Sequence, residues 1–341
     1  MAIVGGLDLH RGQLTFDYLD QDSGAVTTGR IVPADRDHLR AWLERFAGAQ
    51  QVAFALEGCT GWRYVVEELG RAGIAAHLAE PADTAALRGP KRRAKTDRAD
   101  ARHLRELLLA GRLPESWIPP AHVLEARATI RLYKDLLDER TAWYQRVHAT
   151  LFHHGVPVIG KLTTPDGQER LAQAQLSPAG RQALEVGIRQ IQRLAAEMAP
   201  LREQLARLAA KQPGCRALRQ AHYGVGALTS VAIWAELGDC RRFHSSDDAV
   251  RHTGLDITVY ASDGKRTKGH LARQGPAVLR WALYEAAVYA ARASSPDHAY
   301  FQRVKQRLDG QRALLSVARK LARRCYHTLR GLGDQAVQAA A

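Results

Sequence analysis

An α/β domain followed by a mainly α-helical remainder is the fold class this sequence predicts, and three observations predict it. Short β-prone runs come first and in close succession, at Ala2 to His10, Leu14 to Asp20 and Val26 to Val32, separated by Gly, Asp and Ser turn residues. Helical and strand patterns then alternate up to about residue 80. Beyond the proline-punctuated stretch Pro114 to Pro120, apolar residues recur at helical spacing. At 341 residues the chain also exceeds the size at which a single core usually stops growing, so more than one domain is expected.

The elements follow in order. The three opening runs suit an antiparallel meander. Pro33-Ala34-Asp35 opens a helix that carries Leu39, Trp42, Leu43 and Phe46 on one face. Val52-Ala53-Phe54-Ala55-Leu56 is a continuous apolar run ending at Glu57, as in a buried central strand. A helix from Trp62 to Ala72, a strand from Ile74 to Leu78, a basic segment from Arg88 to Lys95 and a helix starting near Thr96 complete the series. The order βββαβαβα is that of the ribonuclease-H-like fold. Ile130, Tyr133, Leu137, Tyr144, Val147 and Leu151 then mark one long helix, and Leu184, Ile188, Ile191, Met198, Leu205 and Leu208 a second. The pair predicts a helical hairpin or coiled-coil connector, with Pro200 kinking its second arm and a patternless loop from Val156 to Pro178 between the arms. Helices at Val225 to Leu237, Ala277 to Ala291 and Leu314 to Leu329 signal a last domain. The expected division is 1–113, 114–212 and 213–332, with a frayed tail at 333–341.

A formal charge of +14, from 49 Lys and Arg against 35 Asp and Glu, favours a polyanionic partner, because binding one releases counterions. Cys59, Cys215, Cys240 and Cys325 lack C-x-x-C spacing and read as buried thiols in a reducing compartment, neither a zinc site nor a disulfide framework. No charged leader region and no membrane-length apolar run is seen, which predicts a cytoplasmic protein.

Four carboxylates fall where this fold brings chain segments together. Asp8 follows the apolar residues of the first strand and Glu57 ends the central one. Asp97 and Asp100 stand at i, i+3 on one helix face. Clustered carboxylates repel one another unless a cation neutralises them, and a hard divalent ion with oxygen ligands, most simply Mg²⁺, both does so and polarises a phosphate oxygen. Any one of these acids alone is more often a solvated charge, and Asp97 alone could simply favour a helix N-terminus. The five cations Arg88, Lys91, Arg92, Arg93 and Lys95 precede the acidic pair directly and suit contacts to a nucleic-acid backbone, the plainer alternative being a solvated connection.

Farther on, Gly224 and Gly226 form a G-x-G turn before a helix, which allows either close approach of a phosphate or merely a tight turn. Ser262 lies in a polar, flexible stretch followed by Lys265, Arg266, Lys268, His270 and Arg273. A serine among cations has the chemistry to attack a phosphodiester, although most loop serines have no such role.

In the same order along nearly the whole chain, Gly6-Leu7-Asp8, Leu56-Glu57-Gly58-Cys59-Thr60-Gly61, Lys95-Thr96-Asp97-Arg98-Ala99-Asp100-Ala101, Gly224-Val225-Gly226 and the segment from Gly254-Leu255 to Gly275 resemble the DEDD transposases of the IS110 insertion-sequence family. The resemblance implies a Holliday-junction-resolvase-like first domain, a coiled-coil middle and a C-terminal domain with a catalytic serine. It implies Asp8, Glu57, Asp97 and Asp100 as Mg²⁺-binding acids and Ser262 as nucleophile. It further implies donor and target double-stranded DNA as partners, a structured guide RNA, and a homodimer or homotetramer whose composite sites pair acids of one subunit with the serine of another. The expected function is thus DNA cleavage and strand exchange in transposition. The rivals are a metal-dependent resolvase or nuclease using water as nucleophile, and a non-enzymatic nucleic-acid-binding protein.

Overall fold

In the computed structural model, residues 2–88, 96–258, 260–262, 265–267 and 269–339 are described. They separate into two compact units, Met1–Ile118 and Pro119–Ala341.

The first unit is built on a five-stranded mixed sheet. Strands β1 (Ala2–Leu9), β2 (Leu14–Asp20) and β3 (Val26–Ile31) form the expected antiparallel meander, while β4 (Gln51–Glu57) and β5 (Ala75–Ala79) add in parallel, giving the order β3-β2-β1-β4-β5. Helices α1 (Arg36–Leu43) and α2 (Trp62–Arg71) lead into β4 and β5. Asp35 caps α1 by accepting the His38 N–H at 2.9 Å, which is why the helix starts there and not at Pro33. A short helix, α3 (Pro81–Ala86), which the sequence pattern does not reveal, follows β5, and α4 (Asp97–Leu109) completes the unit. This mixed sheet, followed by a mostly helical remainder, fits the ribonuclease-H-like class.

Because side chains alternate across a strand, the sheet has two different faces. One buries Ile3, Leu7, Phe54 and Leu56 with Leu39, Trp42 and Leu43 of α1 and Val65 and Leu69 of α2. Phe16, Trp42, Phe46 and Phe54 meet there, the Phe16 and Trp42 ring centres 4.7 Å apart. The other face is covered by α4, with Ala55, Ala79 and Leu104 between the layers. A buried ion contact fixes α4 there, since Arg105 Nε lies 2.7 Å from Asp17 Oδ1 with both side chains under one-tenth exposed. The two atoms are close without an aligned hydrogen bond, and burial lifts the Asp17 carboxyl above its usual range against the pull of Arg105. Arg105→Ala leaves that carboxylate buried without its cation and is expected to cost about 3–5 kcal/mol. Chemical denaturation checks this, and a loss below about 1 kcal/mol would show that the contact is replaceable.

In the second unit, α5 (Ala121–His153) packs along α7 (Pro178–Lys211), the two long helices of the expected hairpin. Pro200 lies inside α7, and the helix continues on both sides of it. The connection between them is not patternless, for it contains α6 (Pro165–Gln173). Thr164 caps α6 by accepting the Gly167 N–H at 3.3 Å, Pro165 occupies the first helical position, and Leu171 is buried with Ile159 and Leu162. At 9 residues the helix carries too little apolar periodicity to stand out in sequence.

Helices α8 (Pro213–Ala221), α9 (Ala227–Leu237), α10 (Ser246–Thr253), α11 (Ala277–Ala290), α12 (His298–Arg307) and α13 (Gly310–Leu332) complete the unit. In α9 every residue from Ser230 to Leu237 is buried, and the helix touches α5, α7, α8, α11 and α13. Its buried carboxylate, Glu236, is held by Arg131 at 2.7 and 3.0 Å, and Arg127 donates to the Ala235 carbonyl at 2.7 Å. These cations sit where a helix C-terminus presents unpaired carbonyls. Between α10 and α11, β6 (Tyr260–Ser262) and β7 (Lys265–Thr267) pair antiparallel. No helix among the described residues is long and apolar enough to cross a membrane.

Candidate functional site

Strand alternation and one close helix approach assemble the acidic residues. Gly6 and Asp8 share a face of β1, the face that α4 covers. A Cβ on Gly6 would lie 2.0 Å from the Ala101 carbonyl oxygen, so the absent side chain is what lets the α4 backbone rest on the strand. The β1–β4 register pairs Gly6 with Ala55 and Leu7 with Leu56, which puts Asp8 and Glu57 one step further along at neighbouring strand ends. The N-terminus of α4 reaches the same edge. There Thr96 Oγ1 caps the helix by accepting the Ala99 N–H at 3.2 Å, and Asp97 and Asp100 occupy the first turn, where the helix dipole favours anions.

The site has two halves. In one, His10 Nε2 is 3.0 Å from Asp8 Oδ2 and 3.3 Å from Asp97 Oδ1, and the three residues each offer a ligand atom within 4.8 Å of the others. Gln13 Nε2 donates to the second Asp97 oxygen at 2.9 Å. In the other, Arg88 joins Asp100 to Glu57, with Nη1 2.6 Å from Asp100 Oδ1 and Nη2 3.1 Å from Glu57 Oε1. The halves feel each other. Burial pushes the Asp8 carboxyl up to about 6, the charge of His10 works against that, and the negative charges of Asp100, Asp97 and Glu57 add to it.

The donor set fits a hard divalent cation. It consists of carboxylate oxygens with one imidazole, and Asp8 Oδ2 is buried without an aligned hydrogen-bond donor despite the nearby His10 nitrogen. A buried acceptor in that state, among like charges, is what a cation would satisfy.

Two adjoining clefts of about 480 and 500 Å³ border this site. Both include Thr28, Thr96 and Arg98. The first adds Arg30 and Asp97, the second Arg102 and Arg105. Arg98 donates to Thr28 Oγ1, and Arg102 pairs with Glu106 at 2.7 Å.

The remaining residues singled out in the sequence are placed as follows. Arg88 faces inward onto two acids. Lys91, Arg92, Arg93, Lys95 and Lys268 lie outside the described residues. Ser262 pairs with Lys265 in the β6–β7 ribbon, with Arg266 next along β7, so this stretch has regular backbone pairing where a flexible loop was expected. Gly224 has φ +88°, and a Cβ there would meet the Ala286 carbonyl oxygen at 2.4 Å, so its role in the fold is close packing on α11. The Gly226 N–H donates to Thr229 Oγ1 at 2.8 Å, an internal cap for α9. Arg273 is exposed, with φ +55°. Cys215, Cys240 and Cys325 are buried free thiols whose pKa burial pushes up to about 12, while Cys59 is only half-buried, contrary to expectation.

Sequence reasoning missed His10, Gln13, Arg30 and Arg98 as neighbours of the acids. The signal for His10 was present, because i, i+2 residues of an extended segment share a face and Asp8 had already been singled out. For Arg30 no local signal exists; only the pairing of β3 with β2 carries it to the cleft.

Comparison with known proteins gives two family matches. Residues 5–154 match the model of a DEDD transposase of the IS110 type, and residues 216–302 match the transposase model described as the IS116/IS110/IS902 family. Two proteins of Sinorhizobium fredii are similar to the chain. "Putative transposase y4qE" is 29% identical over 265 residues, which are 76% of this chain and 64% of the relative. "Putative transposase y4rJ" is 27% identical over 320 residues, 84% of this chain and 80% of the relative. The chain thus aligns with less than two thirds of the first relative's length.

Proposed function

Given that the chain belongs to the IS116/IS110/IS902 family of DEDD transposases, we propose that it cleaves and rejoins DNA strands in the transposition of an insertion sequence. The observation that carries this reading is the convergence of Asp8 and Asp97 in one half of a site whose other half holds Glu57 and Asp100. A Mg²⁺ ion held by these acids would polarise a phosphate oxygen and so ease attack at phosphorus.

Ser262 is the proposed nucleophile. Its Oγ forms a bond to phosphorus as the bond to the departing deoxyribose oxygen breaks, the serine proton ending on that oxygen, which leaves a covalent protein–DNA link and a free deoxyribose hydroxyl. Attack by the deoxyribose hydroxyl of the exchanged strand returns the serine and completes joining. Lys265, Arg266, Lys268 and Arg273, which follow the serine in sequence, are the proposed source of positive charge for the developing phosphorane. The two matched segments, one bearing the acids and one spanning Ser262, support the participation of both. Ser262→Ala is expected to abolish adducts trapped by denaturing DNA–protein mixtures. Adducts that persist would move the nucleophile elsewhere, and cleavage without adducts would favour attack by water.

Donor and target double-stranded DNA are the proposed substrates, with a structured RNA from the element as guide and a homodimer or homotetramer as the working form. Pairing by RNA leaves the protein to read backbone and shape. The cytoplasm, at the nucleoid when DNA is bound, is the proposed location. The arginine-lined clefts beside Asp97 suit a phosphodiester strand on its way to the acids, and Lys91, Arg92, Arg93 and Lys95 extend that charge in sequence. Arg30→Ala and Arg98→Ala are each expected to weaken DNA binding of all sequences alike and to lower the slope of log K against log salt by about 1. An unchanged slope in both would take the strand off this path.

A further inference from the structure

Arg88 is the least expected member of the acidic site. It opens a cationic run, yet its side chain turns away from solvent and bridges Asp100 at 2.6 Å and Glu57 at 3.1 Å. Its side chain is 26% exposed, about as covered as that of Glu57 at 25%, and Asp100 is more covered still at 13%. Each of two guanidinium nitrogens serves a different carboxylate. Its Nε–H is buried and finds no acceptor among the described residues. Asp8, His10 and Asp97 meanwhile keep their ligand atoms within 4.8 Å of one another, without Arg88 among them.

We infer that Arg88 is a built-in counter-cation that reserves the Glu57/Asp100 half of the site. The DNA-free chain then takes one divalent ion, at Asp8, His10 and Asp97, and a second ion enters only when Arg88 withdraws. This rests on the reading of the acids as a divalent-ion centre.

The charges set the order of events. Four carboxylates carry four negative charges, and the guanidinium offsets one of them permanently, because arginine does not deprotonate in proteins. It can leave only by moving. A divalent ion between Glu57 and Asp100 would have to share their oxygens with a like charge at contact distance, which is unfavourable even with partial screening. The first half has no such competitor, because none of its three ligand atoms belongs to a permanently charged cation. A phosphate oxygen is the natural acceptor for the unused Nε–H, so an arriving DNA strand would offer Arg88 an alternative anion at the moment the second ion is needed.

The test is Mn²⁺ titration of the full-length, DNA-free protein, with free Mn²⁺ read by electron paramagnetic resonance. The wild type is expected to take one ion and Arg88→Gln two, with a spin-coupled signal appearing in the variant. Arg88→Lys, which keeps the charge without the fork, is expected to take its second ion at least about tenfold more weakly than Arg88→Gln, and it decides the matter if the glutamine variant does not fold. Adding Asp100→Asn to either variant should remove the second ion and spare the first. Equal stoichiometry and affinity in wild type and variants, two ions in the wild type included, would overturn the role of Arg88 while leaving the metal centre standing. No Mn²⁺ bound by any of them would overturn both.

Discussion

Asp8→Asn is expected to abolish divalent-dependent DNA cleavage while making the metal-free protein more stable. The two effects have one cause. Asp8 lies at the junction of the halves, has a buried oxygen without an aligned donor, and is destabilised as an anion by burial and by three neighbouring acids. Its folded pKa of about 6 lies above the ordinary aspartate value of 3.8, so the folded state bears the cost of ionising it above about pH 6 and is relieved of that cost as the pH falls through 6. Asparagine removes the cost, so in chelator at pH 8 the variant should gain on the order of 1 kcal/mol after screening is allowed for, and little or nothing at pH 4. On the proposed role of Asp8 in holding the cation that would polarise the scissile phosphate, its loss removes several kcal/mol of transition-state stabilisation, on the order of a thousandfold in rate. Paired thermal melts and a cleavage assay measure both. A variant that is less stable at pH 8, or that cleaves at the wild-type rate, would show that the carboxylate is structural and not a ligand.

Gly6→Val is expected to disable the same site from the scaffold. The obstacle to a side chain at Gly6 is backbone, the Ala101 carbonyl oxygen at 2.0 Å and the Arg105 nitrogen at 2.8 Å, and neither can swing aside as a rotamer could. Helix α4 must therefore lift from β1. It carries Asp97 and Asp100 at its start and Arg105 on its buried face, so lifting it separates both acids from Asp8 and strains the Arg105–Asp17 contact. Overpacking of this kind costs about 1–3 kcal/mol, and loss of the buried ion contact adds to it. Thermal unfolding together with Mn²⁺ affinity reads the result. An unchanged melting temperature with unchanged Mn²⁺ affinity would mean that α4 does not rest on Gly6.

Much of the first unit was legible because its signals are local. The β-prone run of Ala2 to His10 identified β1, the continuous apolar run of Val52 to Leu56 identified β4, and helix starts were expected at Pro33-Ala34-Asp35 and near Thr96, where the structure has the caps Asp35 and Thr96. The spacing of Asp97 and Asp100 and the position of Glu57 at a strand end placed three acids on elements whose order already suggested a common edge. The helix α6 and the ribbon β6–β7 were not legible. One is too short for its period to show, and the other is a pair of three-residue strands, too short to carry a hydrophobic alternation. The carboxylate partners of Arg88 were not legible for a different reason. Its cationic neighbours in sequence suggested solvent and a polyanion, and nothing local records that Glu57 and Asp100 come within reach of its fork.

What the sequence determined by itself is therefore most of the sheet strands, the long helices and the four acids as candidates, since periodicity and strand-end carboxylates are properties of a few consecutive residues. What only the tertiary structure decided is which charges face one another. His10 meets Asp8 and Asp97, and Arg88 meets Glu57 and Asp100, because strand register and the approach of α4 over Gly6 join positions far apart in the chain. Electrostatic energy depends on those separations in space, and a one-dimensional pattern does not contain them.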